Sequence, residues 1–185
     1  MNRSSIGKRK KELFFVPFFL FSYIAATRLC PLAALHTSAR LGITVRLDLL
    51  LCCVLSLALM EGKRYAAPYA LTVGFVFDVA VGNPYTFSPI VFFLCSYFAE
   101  KAAAPFSRKT PLSVMLCAAQ VFLIKAVFSF LYLAAVSGDA SVGELLYRGV
   151  LPEYLINLFG AGVVFAVMRI LTALFRIPVF EQSFE

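Results

Sequence analysis

The sequence predicts an all-α, polytopic membrane protein with about six transmembrane helices. The chain has 185 residues, of which 61% are hydrophobic, and its mean hydropathy is +0.86. Soluble domains are about 45–50% apolar, and a soluble fold of this length could not hide so many apolar side chains from water. A membrane-spanning helix needs about 20 apolar residues. The chain therefore has room for about five to seven such helices and for no separate soluble domain.

Six apolar segments are the predicted transmembrane helices, and prolines such as Pro105, Pro111 and Pro152 mark segment boundaries. The first segment is too long for the apolar part of a signal peptide, and more segments follow, so it is predicted to be retained. The predicted spans are residues 13–35, 43–60, 65–82, 85–104, 112–136 and 151–175. The predicted organisation is a basic tail (1–12), a transmembrane domain (13–176) and a second tail (177–185).

The distribution of basic residues predicts the orientation. Cytoplasmic loops of membrane proteins carry an excess of Lys and Arg. With the N-terminus in the cytoplasm, the predicted inside segments hold twelve of the 17 Lys and Arg residues, the outside segments hold four, and Lys125 lies within a span. This asymmetry favours six spans in the bacterial plasma membrane with both termini cytoplasmic. Five spans would weaken the asymmetry only slightly.

Composition and motifs argue against several classes of function. The basic residues lie between apolar runs and form no basic face with interleaved aromatics, so no nucleic-acid partner is expected. The five cysteines lie within apolar runs, and there is one histidine, so we expect no metal site and no cofactor. The sequence has no phosphate-binding loop and none of the common hydrolase motifs. It is therefore predicted not to be an enzyme.

Asp78 is the first candidate for a functional residue. A charged side chain at the centre of a membrane helix costs about 2.5–3.5 kcal/mol, so Asp78 should face protein or water. Gly74, Asp78 and Gly82 are four residues apart and share one helix face. With Pro84 they predict a tight hairpin between the third and fourth segments. Asp78 could form a partner-binding or assembly site beneath the hairpin tip, or it could cap the turn through backbone N–H groups.

Lys125, in the middle of the fifth segment, is the second candidate. An ion pair with Asp78 is conceivable, but Lys125 lies about 18 Å from the outer end of its segment and Asp78 only about 6 Å from its own, at about 1.5 Å per residue. The difference exceeds the length of a lysine side chain unless the helices are offset. The alternatives are a side chain that extends to the membrane interface, or a local contact with Gln120 or Ser129.

Polar residues also lie at the starts of the second and last segments. Asp48 follows Arg46 and would suit the positive end of a helix dipole. Pro152 followed by Glu153 is typical of a helix N-terminus. Asn157 lies one turn further on, on the same face as Glu153. An amide at this position predicts a hydrogen bond between helices, worth about 0.6–2 kcal/mol.

The stretch from Gly74 to Pro84 resembles the signature of the MreD family, in which an aspartate follows a glycine by four residues and a glycine and a proline lie in the next turn. The Arg-x-Asp of residues 46–48, before an apolar run, and the Leu-Pro-Glu of residues 151–153, with Asn157 after it, are also similar to the family. The similarity extends over about residues 13–176. Two residues after the turn proline the family often has glycine, and this chain has Thr86.

The resemblance implies a six-helix fold similar to the substrate-binding subunits of energy-coupling-factor transporters. It also implies a non-enzymatic scaffold of the cell-elongation complex, which regulates cell shape with MreC, the actin-like MreB, RodA and a class B penicillin-binding protein. Residues expected to serve partner binding or assembly are Gly74, Asp78, Gly82, Pro84, Asp48 and Asn157.

The alternative function is that of a substrate-binding subunit of an energy-coupling-factor-type vitamin transporter. Such a subunit needs a cavity that is open to the outside and has converging polar groups. It also needs a face of small residues on its first helix. Here few polar residues lie below the predicted outer loops, and bulky phenylalanines occupy most faces of the first segment. The scaffold is therefore the preferred prediction.

Overall fold

A computed structural model describes residues 3–29, 47–81, 88–103, 111–137, 143 and 146–177. These residues form six α-helices, and no strand is assigned among them. The helices are α1 (Arg3–Ile24), α2 (Leu49–Glu61), α3 (Lys63–Val81), α4 (Ser88–Ala103), α5 (Pro111–Ser137) and α6 (Leu151–Leu174). A π-helical turn, Ala25–Leu29, continues α1, and a second, Leu146–Val150, leads into α6.

Each predicted segment overlaps one of these helices, but the first two helices begin elsewhere than predicted. Helix α1 begins at Arg3, ten residues before the predicted span, so the basic segment is helical. Its lysines, arginines and glutamate are good helix formers. Helix α2 begins at Leu49 instead of residue 43. The predicted first loop lies outside the described residues.

Helix α2 is the centre of the fold. Its sequence is apolar on every side, which is typical of a helix that is surrounded by protein. Twelve of its thirteen residues are buried. It contacts each of the other five helices, while α3, α4, α5 and α6 pack against one another in chain order and α1 packs beside α3. The core therefore lies along α2, and groups at its two ends can meet several helices at once.

The connection between α2 and α3 is a single residue, Gly62. Its φ of 82° lies in the region that glycine adopts without steric cost. Its backbone N–H donates to the carbonyl of Ala58 at 2.9 Å, and its own carbonyl accepts from the N–H groups of Tyr65 and Ala66. These bonds use some of the backbone groups that the two helix ends leave unpaired, and they hold α2 and α3 together in a very short turn.

Within the described ranges, α6 is the one helix long and apolar enough by itself to cross a membrane. Shorter apolar helical stretches are Leu49–Glu61, Ser88–Ala99 and Val114–Val127. The thirteen residues of α2 would extend only about 20 Å, less than the hydrocarbon thickness of about 30 Å. The all-helical architecture is thus confirmed, and the number of helices that cross the membrane remains a prediction.

Candidate functional site: polar junctions between helices

The largest polar junction centres on Lys125, in the middle of α5. Its ammonium group donates to a carboxylate oxygen of Asp48 and, at 2.7 Å, to Oε1 of Glu153. Asp48 occupies the N-cap position of α2, and Glu153 lies in the first turn of α6. One lysine therefore links the starts of two helices to the middle of a third. We call Asp48, Lys125, Glu153 and Asn157 the Lys125 cluster.

Asn157 connects α2 and α6 within this cluster. Its Oδ1 accepts the backbone N–H of Asp48 at 2.7 Å, and its Nδ2 donates to the carbonyl of Glu153 at 2.8 Å. The side chain is 1% exposed. A buried amide with both ends bonded holds two backbones in fixed register, because displacing either one leaves a buried polar group without a partner. The predicted hydrogen bond between helices is present.

A small cavity lies beside the cluster, between Lys125, Glu153, Tyr154 and Asn157. Its volume of about 10 Å³ is enough for about one water molecule. The hydroxyl of Tyr154 donates to the carbonyl of Ala119 on α5 at 3.2 Å. Among the described residues, the polar groups here bond to one another across helices and leave little space for a solute.

Asp78 forms a second junction, between α3 and α4. It is 1% exposed. Its Oδ2 accepts the backbone N–H of Ser88 at 3.0 Å, and its Oδ1 accepts the Ser88 hydroxyl at 2.6 Å. Ser88 is the first residue of α4. The carboxylate thus caps α4 from the neighbouring helix, where the positive end of the helix dipole favours a negative charge.

Gly74 permits the close packing of α3 on α4 one turn away from this cap. A Cβ atom built at Gly74 would lie 2.6 Å from Cα of Pro89 and 2.7 Å from its N. These are backbone atoms, which cannot rotate away. Gly162 on α6 is also tight, but there the nearest atom is Cγ of Met115, at 2.9 Å, in a flexible side chain.

We expect Gly74→Ala to lower the free energy of unfolding by about 1–3 kcal/mol, because the added methyl group forces the two helix backbones apart. Gly162→Ala is the matched control and should cost less than about 1 kcal/mol, because the Met115 side chain can adopt another rotamer. Equilibrium unfolding of the two purified variants in the same detergent measures both values. Equal losses would contradict the assignment of Gly74 as a backbone contact.

We expect Asp78→Ala to lower the free energy of unfolding by about 2–3 kcal/mol, because the backbone N–H of Ser88 loses a charged acceptor. Asp78→Asn should cost less, since the amide oxygen still accepts one hydrogen bond. A double-mutant cycle with Ser88→Ala should show non-additivity, because the two side chains bond to each other. If Asp78→Ala left stability unchanged but abolished partner capture, Asp78 would be a binding residue and not a cap.

A third junction lies at the opposite end of α2, where Glu61 bonds to Lys11 of α1. The Lys11 Nζ lies 2.6 Å from Oε2 of Glu61, and the side chains are 7% and 3% exposed. The sequence placed Lys11 in a basic tail. The structure instead buries it, because α1 is helical through this region and packs against the end of α2.

The predicted site residues within the described ranges thus occupy two separate places. Asp48 and Asn157 share the Lys125 cluster, whereas Gly74 and Asp78 lie between α3 and α4, at what we call the hairpin junction. Gly82 and Pro84, and with them the predicted hairpin tip, lie outside the described residues.

The structure shows which groups Lys125 bonds, which the sequence did not identify. Lys125 pairs with Asp48 and Glu153 and not with Asp78, because those two acids lie within reach of it. Asp48 stands at a helix start, as predicted, and its carboxylate turns to Lys125. Lysine in the middle of an apolar helix requires a counter-ion. That requirement, applied to the acids at the starts of neighbouring helices, is the signal that could have identified the cluster.

The structure defines an all-helical protein in which buried charged and amide groups join helices to one another. The chain belongs to the MreD family, described as rod shape-determining protein MreD, and matches it over residues 9–175. This membership supports a role in rod-shape determination and gives no support to a vitamin-transporter subunit. Neither a curated protein nor a solved structure matches the chain.

Proposed function

We propose that the protein is a non-enzymatic membrane scaffold of the bacterial cell-elongation complex, in which it acts with MreC, MreB, RodA and a class B penicillin-binding protein. Family membership supports the role in rod shape. The particular partners follow from the likeness of the Gly74–Pro84 stretch and its two companion segments to that family.

The proposed architecture is a six-span domain over residues 13–176, with cytoplasmic tails at both ends. Six helices, each overlapping one predicted segment, support it, as does the excess of basic residues in the predicted inside segments. The outward faces of the peripheral helices are strongly apolar: Leu13 is 76% exposed, Phe21 70% and Leu174 72%. Contiguous apolar surface of this kind suits lipid or another membrane helix better than water.

The observation that carries the scaffold assignment is how the polar side chains are used. Asp48, Glu153 and Asn157 meet Lys125 or each other, and Asp78 meets Ser88. The cavity beside Lys125 has room for about one water molecule. A solute-binding subunit directs polar groups into a ligand cavity. In this protein the described polar groups fix the relative positions of helices, as a scaffold requires.

In this proposal Gly74, Asp78, Gly82, Pro84, Asp48 and Asn157 serve assembly indirectly. Among the described residues, Gly74, Asp78, Asp48 and Asn157 fix how the helices pack, and the packing sets the shape of the outer surface that a partner contacts. A substitution at these positions should therefore lower stability and partner capture together.

The proposal is tested by purifying the tagged chain from membranes in a mild detergent and identifying what accompanies it. Recovery of MreC, with or without RodA and a penicillin-binding protein, is the expected result. Glu12→Gln, at an exposed polar position, is the control and should recover the same partners as the unaltered chain. Recovery of an ATPase pair with a bound vitamin would contradict the scaffold and revive the transporter alternative.

A further inference from the structure

One end of the helix bundle is strongly basic. Lys11 and Glu61 bring the start of α1 to the end of α2, and the rings of Phe14 and Phe175, 5.7 Å apart, bring the end of α6 there as well. Because Gly62 joins α2 to α3 directly, the start of α3 lies at the same end. We call this the basal end.

The end of α4 also lies at the basal end, because α3 and α4 are antiparallel and joined near Asp78 and Ser88. Exposed cations at the basal end are Arg64, Lys101 and Arg176. Lys101 extends over the ring of Tyr97, with 5.3 Å from its Nζ to the ring centroid. A lysine beside a half-exposed tyrosine is typical of the membrane interface.

The acids at the basal end are fewer than the basic residues there. Glu61 is buried against Lys11, Glu12 is exposed beside it in α1, and Glu100 precedes Lys101 in α4. At the other end of the bundle Lys125 faces two carboxylates, those of Asp48 and Glu153. The described charges are thus divided unequally between the two ends.

The basic residues of α1 lie at a defined height relative to the apolar part of that helix. Lys8, Arg9 and Lys10 precede Leu13 within one continuous helix. At about 1.5 Å per residue they lie about 4.5–7.5 Å beyond Leu13 along the helix axis. The polar headgroup layer of one leaflet is about 5–7 Å thick. A helix that enters the hydrocarbon near Leu13 therefore places the backbone of these three residues within the headgroup layer.

We infer that the basal end, with Lys8, Arg9 and Lys10 at its centre, binds the headgroups of anionic phospholipids in the cytoplasmic leaflet. This inference rests on the membrane architecture proposed above. Clusters of four to eight basic residues next to a membrane helix attract anionic lipid. Helix α1 brings residues 8–10 to the same end of the bundle as the exposed cations of α3, α4 and the end of α6. Together these basic residues form such a cluster.

The inference is tested with the full chain reconstituted into phosphatidylcholine vesicles that contain spin-labelled phosphatidylglycerol or spin-labelled phosphatidylcholine. Electron spin resonance gives the association of each lipid with the protein. We expect phosphatidylglycerol to be preferred by about fivefold or more at low salt, since each basic residue near the surface contributes about that factor. The preference should fall towards one at high salt, because salt screens the attraction.

Paired variants locate the site. Lys8→Gln with Arg9→Gln should reduce the preference by about fivefold or more. Arg28→Gln with Arg148→Gln removes the same charge near the other end and should leave the preference unchanged. Equal affinity for both lipids, or equal loss in the two paired variants, would overturn the inference. The Lys8 and Arg9 variant can also be purified from cells. If it kept its lipid preference but no longer copurified with an acidic cytoplasmic protein, the basal end would bind protein and the inference would be wrong.

Failure of the lipid inference can be separated from failure of the proposed architecture. A chain that inserts into vesicles without preferring phosphatidylglycerol refutes the lipid inference alone. A chain that does not insert into vesicles of either lipid refutes the membrane architecture, and the lipid inference with it.

Discussion

Lys125→Met is expected to destabilise the protein by about 3 kcal/mol, because it leaves Asp48 and Glu153 facing each other without their shared cation. Removing one member of a buried ion pair typically costs about 3–5 kcal/mol. The lower value applies here, since the three side chains are 16–28% exposed. Equilibrium unfolding in detergent measures the change, and the level of the variant in membranes should fall with it.

A compensating variant separates charge from packing in this cluster. Lys125→Met combined with Asp48→Asn and Glu153→Gln should recover more than half of the lost stability, because no uncompensated charge remains. Lys101→Met is the control, since its exposed ammonium contacts the Tyr97 ring and should contribute only about 0.5–1 kcal/mol. If Lys125→Met were no more harmful than Lys101→Met, the cluster would not hold the helices together.

Glu61→Gln is expected to cost about 3–5 kcal/mol, because it removes the carboxylate that lies 2.6 Å from the buried Lys11 ammonium. The side chains are almost completely buried, so water cannot replace the lost carboxylate. Helix α1 should be affected most, since this pair joins it to the end of α2. Equilibrium unfolding measures the total loss, and faster proteolysis within α1 would show where the structure opens.

Glu12→Gln is the matched control for this pair, because Glu12 is the exposed neighbour of Lys11 on the same helix. It should change stability by less than about 0.5 kcal/mol. The double variant Lys11→Met with Glu61→Leu replaces both charges by apolar groups and should approach the stability of the unaltered protein. If the double variant were as unstable as Glu61→Gln, the loss of stability could not be attributed to an uncompensated charge alone.

The helices themselves were predictable because each is a long apolar run that ends at a proline, a glycine or a charge. Segments 65–82, 85–104, 112–136 and 151–175 agree with α3 to α6 within three residues at either end. The start of α1 was not predictable in this way. Its basic residues read as a tail by hydropathy, although their helix propensity allows the helix to continue through them.

The hairpin junction was partly predictable from the sequence. The four-residue spacing of Gly74 and Asp78 predicted that they share a face, and a cap was one of the two roles considered for Asp78. The identity of the group that Asp78 bonds, Ser88, depends on how far α4 slides along α3, which the sequence does not specify.

The Lys125 cluster and the Lys11–Glu61 pair were not predicted, for one physical reason. Position along a segment gives the depth of a residue in its own helix, but neither the neighbours of that helix nor its offset from them. The estimated difference in depth between Lys125 and Asp78 argued against an ion pair between them, and in the structure Lys125 pairs with other acids. The partners of Lys125 could be found only once α2 and α6 were placed beside α5.

The central claim, that the protein acts as a scaffold for rod shape, is tested most directly by depleting it from growing rod-shaped cells of its own species and measuring cell width. The account predicts that cells widen and become round, that the unaltered chain restores the rod, and that Lys125→Met restores it poorly while Lys101→Met restores it fully. Depleted cells that keep their rod shape and normal width would contradict the account.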